Sequence, residues 1–180
     1  MGGSIQKIYS CLFPYKQIRV IMIGLDAVGK TSILYRLALY EEIKSTIPTI
    51  GFNSETIYYK NIQFTCIEIG GGDKIRLLWN QYMDVKDTGI IFIIDLSDPE
   101  RLPLAKQELK RFLNEKETKG SPLLVLANKQ DIAKFSIEEL SKFLELPHHQ
   151  RKCYIQPCSA KTGDGLYEGL SWLATIYSSK

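Results

Sequence analysis

The sequence predicts an α/β domain: an open, mostly parallel sheet with helices on both faces. Two observations carry that reading. Apolar runs of strand length, at 18–23, 89–96 and 123–127, alternate with segments of helical composition, the pattern of parallel strands joined by crossover helices. Polar segments of ligand-binding type follow such runs at 24–31, 128–131 and 159–161. That spacing sets them along the carboxyl edge of the sheet, where open α/β folds bind ligands.

The first run is broken only by Arg19 and leads into Gly24-Leu25-Asp26-Ala27-Val28-Gly29-Lys30-Thr31, after which a helix spans about Lys30 to Leu39. Strand, glycine-rich turn and helix form the setting in which Gly, four residues, Gly-Lys-Thr binds phosphate. The glycines let consecutive backbone amides, from Asp26 through Ser32, turn inward on an anion, and the helix N-terminus adds partial positive charge. Lys30 reaches the outer phosphates. The Thr31 hydroxyl is an oxygen ligand of the kind Mg²⁺ accepts.

The run at 123–127 leads into Asn128-Lys129-Gln130-Asp131. A carboxylate at Asp131 accepts from both the ring N–H and the exocyclic amine of guanine, and adenine has no amine there. This disfavours an ATP-using enzyme. Asn128 ties its loop either to the phosphate loop or to the base edge, and the Lys129 stem lies over the base plane. Ser159-Ala160-Lys161 follows the strand-like run 154–156 and offers a backbone N–H to the guanine carbonyl.

With these residues assembled, the chain resembles a small GTPase of the ADP-ribosylation factor (Arf) and Arf-like group over nearly its whole length. Further strings of that group are Ile47-Pro48-Thr49-Ile50-Gly51-Phe52-Asn53, Asp73-Lys74-Ile75-Arg76, Gly163-Asp164-Gly165-Leu166-Tyr167-Glu168-Gly169-Leu170 and the start Met1-Gly2. The resemblance implies the P-loop small-GTPase fold, with six strands of which the second is antiparallel. It implies a GTP/GDP switch that recruits effectors to membranes in trafficking, served by an exchange factor and a GTPase-activating protein. It also implies Mg²⁺ held by Thr31 and Thr49, electrostatic help from Lys30, and a Gly71 amide that binds the γ-phosphate and orders residues 70–82. The implied location is cytoplasmic, with reversible attachment to endomembranes such as the Golgi.

At 180 residues with a net charge of +3, the chain is sized for one domain with a sizeable core, and its charge gives no argument for nucleic acid. The four cysteines at 11, 66, 153 and 158 lack metal-type or redox-type spacing, as expected of reduced cytosolic thiols. No apolar run is long enough to span a bilayer, and no secretory signal opens the chain.

The chain divides into residues 1–16, an N-terminal amphipathic membrane-binding helix, and 17–180, the GTP-binding domain. Ile5, Ile8, Tyr9, Leu12 and Phe13 recur at helical spacing, Pro14 ends the helix, and Lys7, Lys16 and Arg19 add positive charge. Such a stripe suits a membrane surface. Gly2 is a candidate for myristoylation, although Gln6 replaces the usual Ser or Thr. One acyl chain binds marginally, so the helix serves as the second signal. The resemblance implies that this helix is tucked away with GDP and released with GTP.

Phe52–Tyr59 and Ile62–Ile69 read as a hairpin closed by Lys60-Asn61, which in the resembled group slides in register. A helix is expected over 75–82 with Leu77, Leu78 and Tyr82 towards the effector or the core. Another is expected over 99–117 with Leu102, Leu109, Phe112 and Leu113 inward. Ser136 and Glu139 make a capping box, His148 and His149 read as surface residues, and the helix over 166–177 carries Trp172 into the core.

Three positions depart from the resembled group. Gly72 stands where a glutamine orients the attacking water, Glu68 where an aspartate supports Mg²⁺ through its water shell, and Ile67 where a tryptophan joins Phe52 and Tyr82 in the effector patch. None of the three abolishes the phosphate or guanine pocket, whereas hydrolysis loses its water-positioning side chain at Gly72. It is expected to be impaired as well by Glu68, whose carboxylate, one methylene longer, coordinates Mg²⁺ differently or weakens it. The alternative to a slow GTPase switch is therefore a GTP-loaded membrane-docking module governed by exchange rather than hydrolysis.

Overall fold

The computed structural model describes residues 15–39, 49, 51–83 and 88–178. The expected N-terminal helix and Gly2 lie outside the described residues, as does Pro48. Among the described residues, strands β1 (Lys16–Ile23), β2 (Phe52–Tyr59), β3 (Ile62–Ile69), β4 (Gly89–Asp95), β5 (Leu123–Asn128) and β6 (Cys153–Pro157) form one sheet in the order β2-β3-β1-β4-β5-β6. All neighbours pair in parallel except β2 and β3. Every residue of β4 and β5 is buried, as the continuous apolar runs require of strands covered on both faces. β2 is an edge strand and alternates in exposure instead.

The helices are α1 (Lys30–Leu39), α2 (Asp73–Arg76), α3 (Leu102–Leu113), α4 (Ile137–Leu144) and α5 (Leu166–Ser178). Side-chain alternation places two of them on opposite faces. Phe92 of β4 meets Phe112 of α3 through Trp79. Gly89 of β4 and Leu124 and Leu126 of β5 lie against Tyr177 and Gly169 of α5. Gly89 and Phe92 point to opposite sides of a strand of period two, so α3 and α5 sandwich the sheet. The hairpin closes at Lys60-Asn61 as expected, with Tyr59 opposite Ile62 and Phe52 opposite Ile69. The Ser136 hydroxyl accepts from the Glu139 amide while the Glu139 carboxylate accepts from the Ser136 amide, completing the cap of α4.

Three expectations are corrected. The helix expected over 75–82 is broken: α2 ends at Arg76 and a 3-10 turn spans Trp79–Met83. The break turns the fully buried Trp79 inward between Phe92 and Phe112, with ring centroids 6.2 and 6.0 Å away. Leu77 and Leu78 are left exposed. The helix expected over 99–117 begins as a 3-10 turn at Pro99–Arg101 and stops at Leu113. There the Leu113 carbonyl accepts from Arg151 Nη2 (3.1 Å) and Thr118 Oγ1 (3.1 Å), which satisfies it without another helical turn. Its inward residues Leu102, Leu109, Phe112 and Leu113 are buried as expected. Trp172 is half-buried at the rim, stacked on Tyr154 at 5.5 Å. The inward stripe of α5 is Leu166, Gly169, Leu170, Leu173, Ala174 and Tyr177, and Trp172 falls off it.

Trp79 also donates through Nε1 to the Gly70 carbonyl at 3.1 Å, fixing the chain that follows β3. Trp79→Phe keeps an aromatic ring but leaves that buried carbonyl without its donor. The expected cost is about 1–3 kcal/mol, read as a lowered midpoint in urea unfolding.

Candidate nucleotide site

The loop between β1 and α1 carries the site. Gly29 has φ +91°, and a Cβ there would stand 2.5 Å from Asn128 Nδ2. Only glycine admits both the left-handed backbone and the close asparagine. Asp26 and Ala27 are exposed, Val28 is buried, and Ser32 is half-buried on the first turn of α1. Lys30 is buried, and its ammonium donates to the carbonyls of Gly24 (3.1 Å) and Leu25 (2.7 Å). Burial pushes its pKa down to about 8, against the pull of the Glu68 and Asp26 carboxylates. Arg101 spans the rim of the loop, donating to the Asp26 carbonyl at 3.1 Å and pairing with its carboxylate at 3.4 Å.

Asn128 ends β5 and is buried. Its Nδ2 donates to the Val28 carbonyl at 2.8 Å, and its Oδ1 accepts from the Ala160 amide at 2.9 Å. Of the two roles left open by sequence, the structure therefore has Asn128 tie its loop to the phosphate loop, and it ties in the third loop as well. Lys129 sits at φ +64° with its ammonium 2.6 Å from Asp95 Oδ2. Asp131 is exposed and accepts from the Ser159 hydroxyl at 2.8 Å through Oδ1. The Ala160 amide is taken by Asn128. The neighbouring Lys161 amide has no protein acceptor among the described residues, and Lys161 itself is exposed. The three motifs thus converge on one edge of the sheet, held together by Asn128.

A second corner forms where α1 meets β3. Thr31 and Thr49 hydroxyls lie 3.2 Å apart and both donate to Glu68 Oε1, at 2.6 and 3.1 Å. Asn53 Nδ2 donates to Glu68 Oε2 at 2.8 Å. Beside it, Gly71 is buried against the phosphate loop: a Cβ there would stand 2.3 Å from the Leu25 carbonyl carbon. Its carbonyl accepts from Arg76 Nη1 at 2.8 Å, and Arg76 pairs with Asp73 (2.6 Å) and with Glu108 of α3 (3.3 Å). The strand-following segment is thereby tied to α3 where it abuts the loop. Gly72 differs from its neighbour. At φ −67°, ψ 151° its backbone suits any residue, and a Cβ there meets nothing within 4 Å.

Phe52 is exposed and packs on Tyr82 with centroids 5.9 Å apart. Ile67 is half-buried one cross-strand pair from Phe52 on the same sheet face. Asn53, Asp95, Arg101 and Arg76 join the site without having been expected there. Asp95 left one available signal, as the carboxylate interrupting an otherwise apolar run. The described thiols Cys66, Cys153 and Cys158 are free, and burial pushes Cys66 up to about 12 and Cys153 up to about 11.

The family model of the ADP-ribosylation factor family matches residues 5–177. The chain belongs to that family. Among solved structures it is similar to the Arl6 BBS3 small GTPase from Trypanosoma brucei with bound nucleotide analogue GppNp, at 32% sequence identity and a TM-score of 0.80, covering 91% of this chain and 99% of that one. The fold is accordingly the Arf-type P-loop GTPase fold. The chain is a guanine-nucleotide switch of the Arf and Arf-like kind.

Asp131→Asn preserves an oxygen for Ser159 and replaces an acceptor with a donor. The expected result in a fluorescence titration is GTP binding weakened by about 2–4 kcal/mol, with improved binding of xanthosine triphosphate.

Proposed function

We propose that this Arf-family protein is a membrane-recruitment switch whose GTP hydrolysis is slow because position 72 has no side chain to hold the attacking water. The observation that carries this reading is the contrast between Gly71 and Gly72. Gly71 is pressed against the phosphate loop, with no room for a Cβ beside Leu25 and Asp26, and in this reading its amide binds the γ-phosphate. Gly72 adjoins open space. The binding apparatus is whole, and the catalytic complement is one side chain short.

Lys30, Thr31, Thr49, Gly71 and the amides of Asp26 through Ser32 bind and stabilise phosphate charge in this reading. The oxygen-only set at Thr31, Thr49 and Glu68 suits a hard divalent cation, and Mg²⁺ is the ion that accompanies a nucleoside triphosphate. Bound there, it supplies charge neutralisation at the phosphates. Asn128, Lys129, Asp131, Ser159, Ala160 and Lys161 select guanine. Loss of the γ-phosphate releases the 70–82 segment, an order–disorder switch keyed to one group. Effectors dock on Phe52, Ile67 and Tyr82. The amphipathic stripe of residues 5–13, aided by a myristoyl group at Gly2, supplies the membrane contact in trafficking.

Small GTPases that keep a water-positioning glutamine still hydrolyse alone at roughly 10⁻⁴ to 10⁻² s⁻¹, and an arginine finger adds about 10³- to 10⁵-fold. That finger stabilises charge and does not orient water. Gly72→Gln enters open space without backbone strain, so the variant folds as the parent does. In single-turnover assays with a saturating Arf-type activating protein, the parent is expected to respond poorly and the variant to gain assisted turnover. A typical assisted rate in the parent, with no gain from glutamine, contradicts the proposal. No measurable turnover by the parent makes it a docking module controlled by exchange.

A further inference from the structure

We propose that Glu68 is a direct ligand of the divalent cation, occupying through Oε1 a coordination position otherwise filled by water. This rests on the nucleotide-and-metal reading of the site given above and adds a third protein oxygen to Thr31 and Thr49.

The spacing of the oxygens is the first argument. Thr31 Oγ1, Thr49 Oγ1 and Glu68 Oε1 form a triangle with edges of 3.2, 2.6 and 3.1 Å. Adjacent oxygens around an octahedral Mg²⁺, with metal–oxygen distances near 2.0–2.1 Å, lie about 2.9 Å apart. The three edges bracket that value, so the triangle has the dimensions of one octahedral face. Around Ca²⁺ the corresponding edge is longer, roughly 3.3–3.7 Å.

The second argument is burial. Glu68 is only 1% exposed, and among the described residues it forms no ion pair. Its three protein donors are two hydroxyls and an amide, all neutral. A buried carboxylate is costly unless it is paired or coordinates a metal. The Lys30 ammonium feels this carboxylate but donates to the carbonyls of Gly24 and Leu25 instead, so a cation between these oxygens supplies the direct positive partner that Glu68 lacks.

The third argument is fixation. Asn53 lies opposite Glu68 in the β2–β3 ladder and holds Oε2, which leaves Oε1 aimed at the threonines. An aspartate at this position is one methylene shorter and stops about 1.5 Å short, a gap that a water molecule spans. The extra methylene of Glu68 removes the need for that water.

The test is a count of metal-bound water. Full-length protein is loaded with Mn²⁺ and GppNp in ¹⁷O-enriched water, and line broadening in the electron paramagnetic resonance spectrum gives the number of water ligands. Of six octahedral positions, three protein oxygens and two phosphate oxygens leave about one for water. One water in the parent, rising to two in Glu68→Asp, is the expected result. Two waters in the parent overturn the proposal, and this count decides even if the aspartate variant fails to fold. A spectrum identical to free Mn²⁺·GppNp overturns the nucleotide-and-metal reading itself, a distinct failure.

Discussion

The buried ammonium of Lys30 is the charge around which the site is arranged. It sits at the start of α1 and donates to two carbonyls of its own loop. Its desolvation is costly, which is why its pKa falls to about 8. Because the folded-state value lies below the ordinary 10.5, the ligand-free fold is penalised while Lys30 is charged, and the penalty lifts as pH rises from about 8 towards 10.5. In the proposed reading, phosphate oxygens answer the same charge at neutral pH. The loop is therefore least comfortable empty, and the carboxylates of Glu68 and Asp26 offset only part of the cost.

The rest of the fold serves to bring opposite charge and hydrogen-bond acceptors to that point. Parallel strands deliver three loops to one edge, and the buried Asn128 pins the second and third to the first. Trp79 holds Gly70, and Arg76 holds Gly71, so the segment after β3 is fixed from two sides. All of these contacts are present in the structure, and in the proposed reading the γ-phosphate is what keeps the segment that carries the last two in place. In the proposed reading, what Gly72 lacks is one side chain whose use is confined to the hydrolytic step. The expected functional signature is strong binding joined to weak turnover.

Much of this was legible in the sequence because local patterns and the fold agree. The apolar runs gave strands of nearly the observed length, Lys60-Asn61 closed the hairpin, and Ser136 with Glu139 marked the start of α4. The ligand loops were legible because their spacing follows strand ends. The Asn53–Glu68 pairing was within reach too, because the two-residue turn sets Tyr59 opposite Ile62 and thereby Asn53 opposite Glu68. Side-chain contacts between elements distant in sequence, such as Arg101 with Asp26 and Arg76 with Glu108, were not. Helical periodicity also misled at 75–82 and at Trp172. At the first, burial of Trp79 outweighed continuation of the helix. At the second, a large aromatic residue lay one step off the inward stripe of α5.

The nucleotide that accompanies the protein through purification tests the charge-centred account of this site most directly. The protein is isolated without added nucleotide and denatured, and the released ligand is identified and quantified by ion-exchange chromatography. A guanine nucleotide near one equivalent per chain, with a substantial triphosphate fraction, is the predicted result. An empty protein, or one carrying an adenine nucleotide, would contradict it.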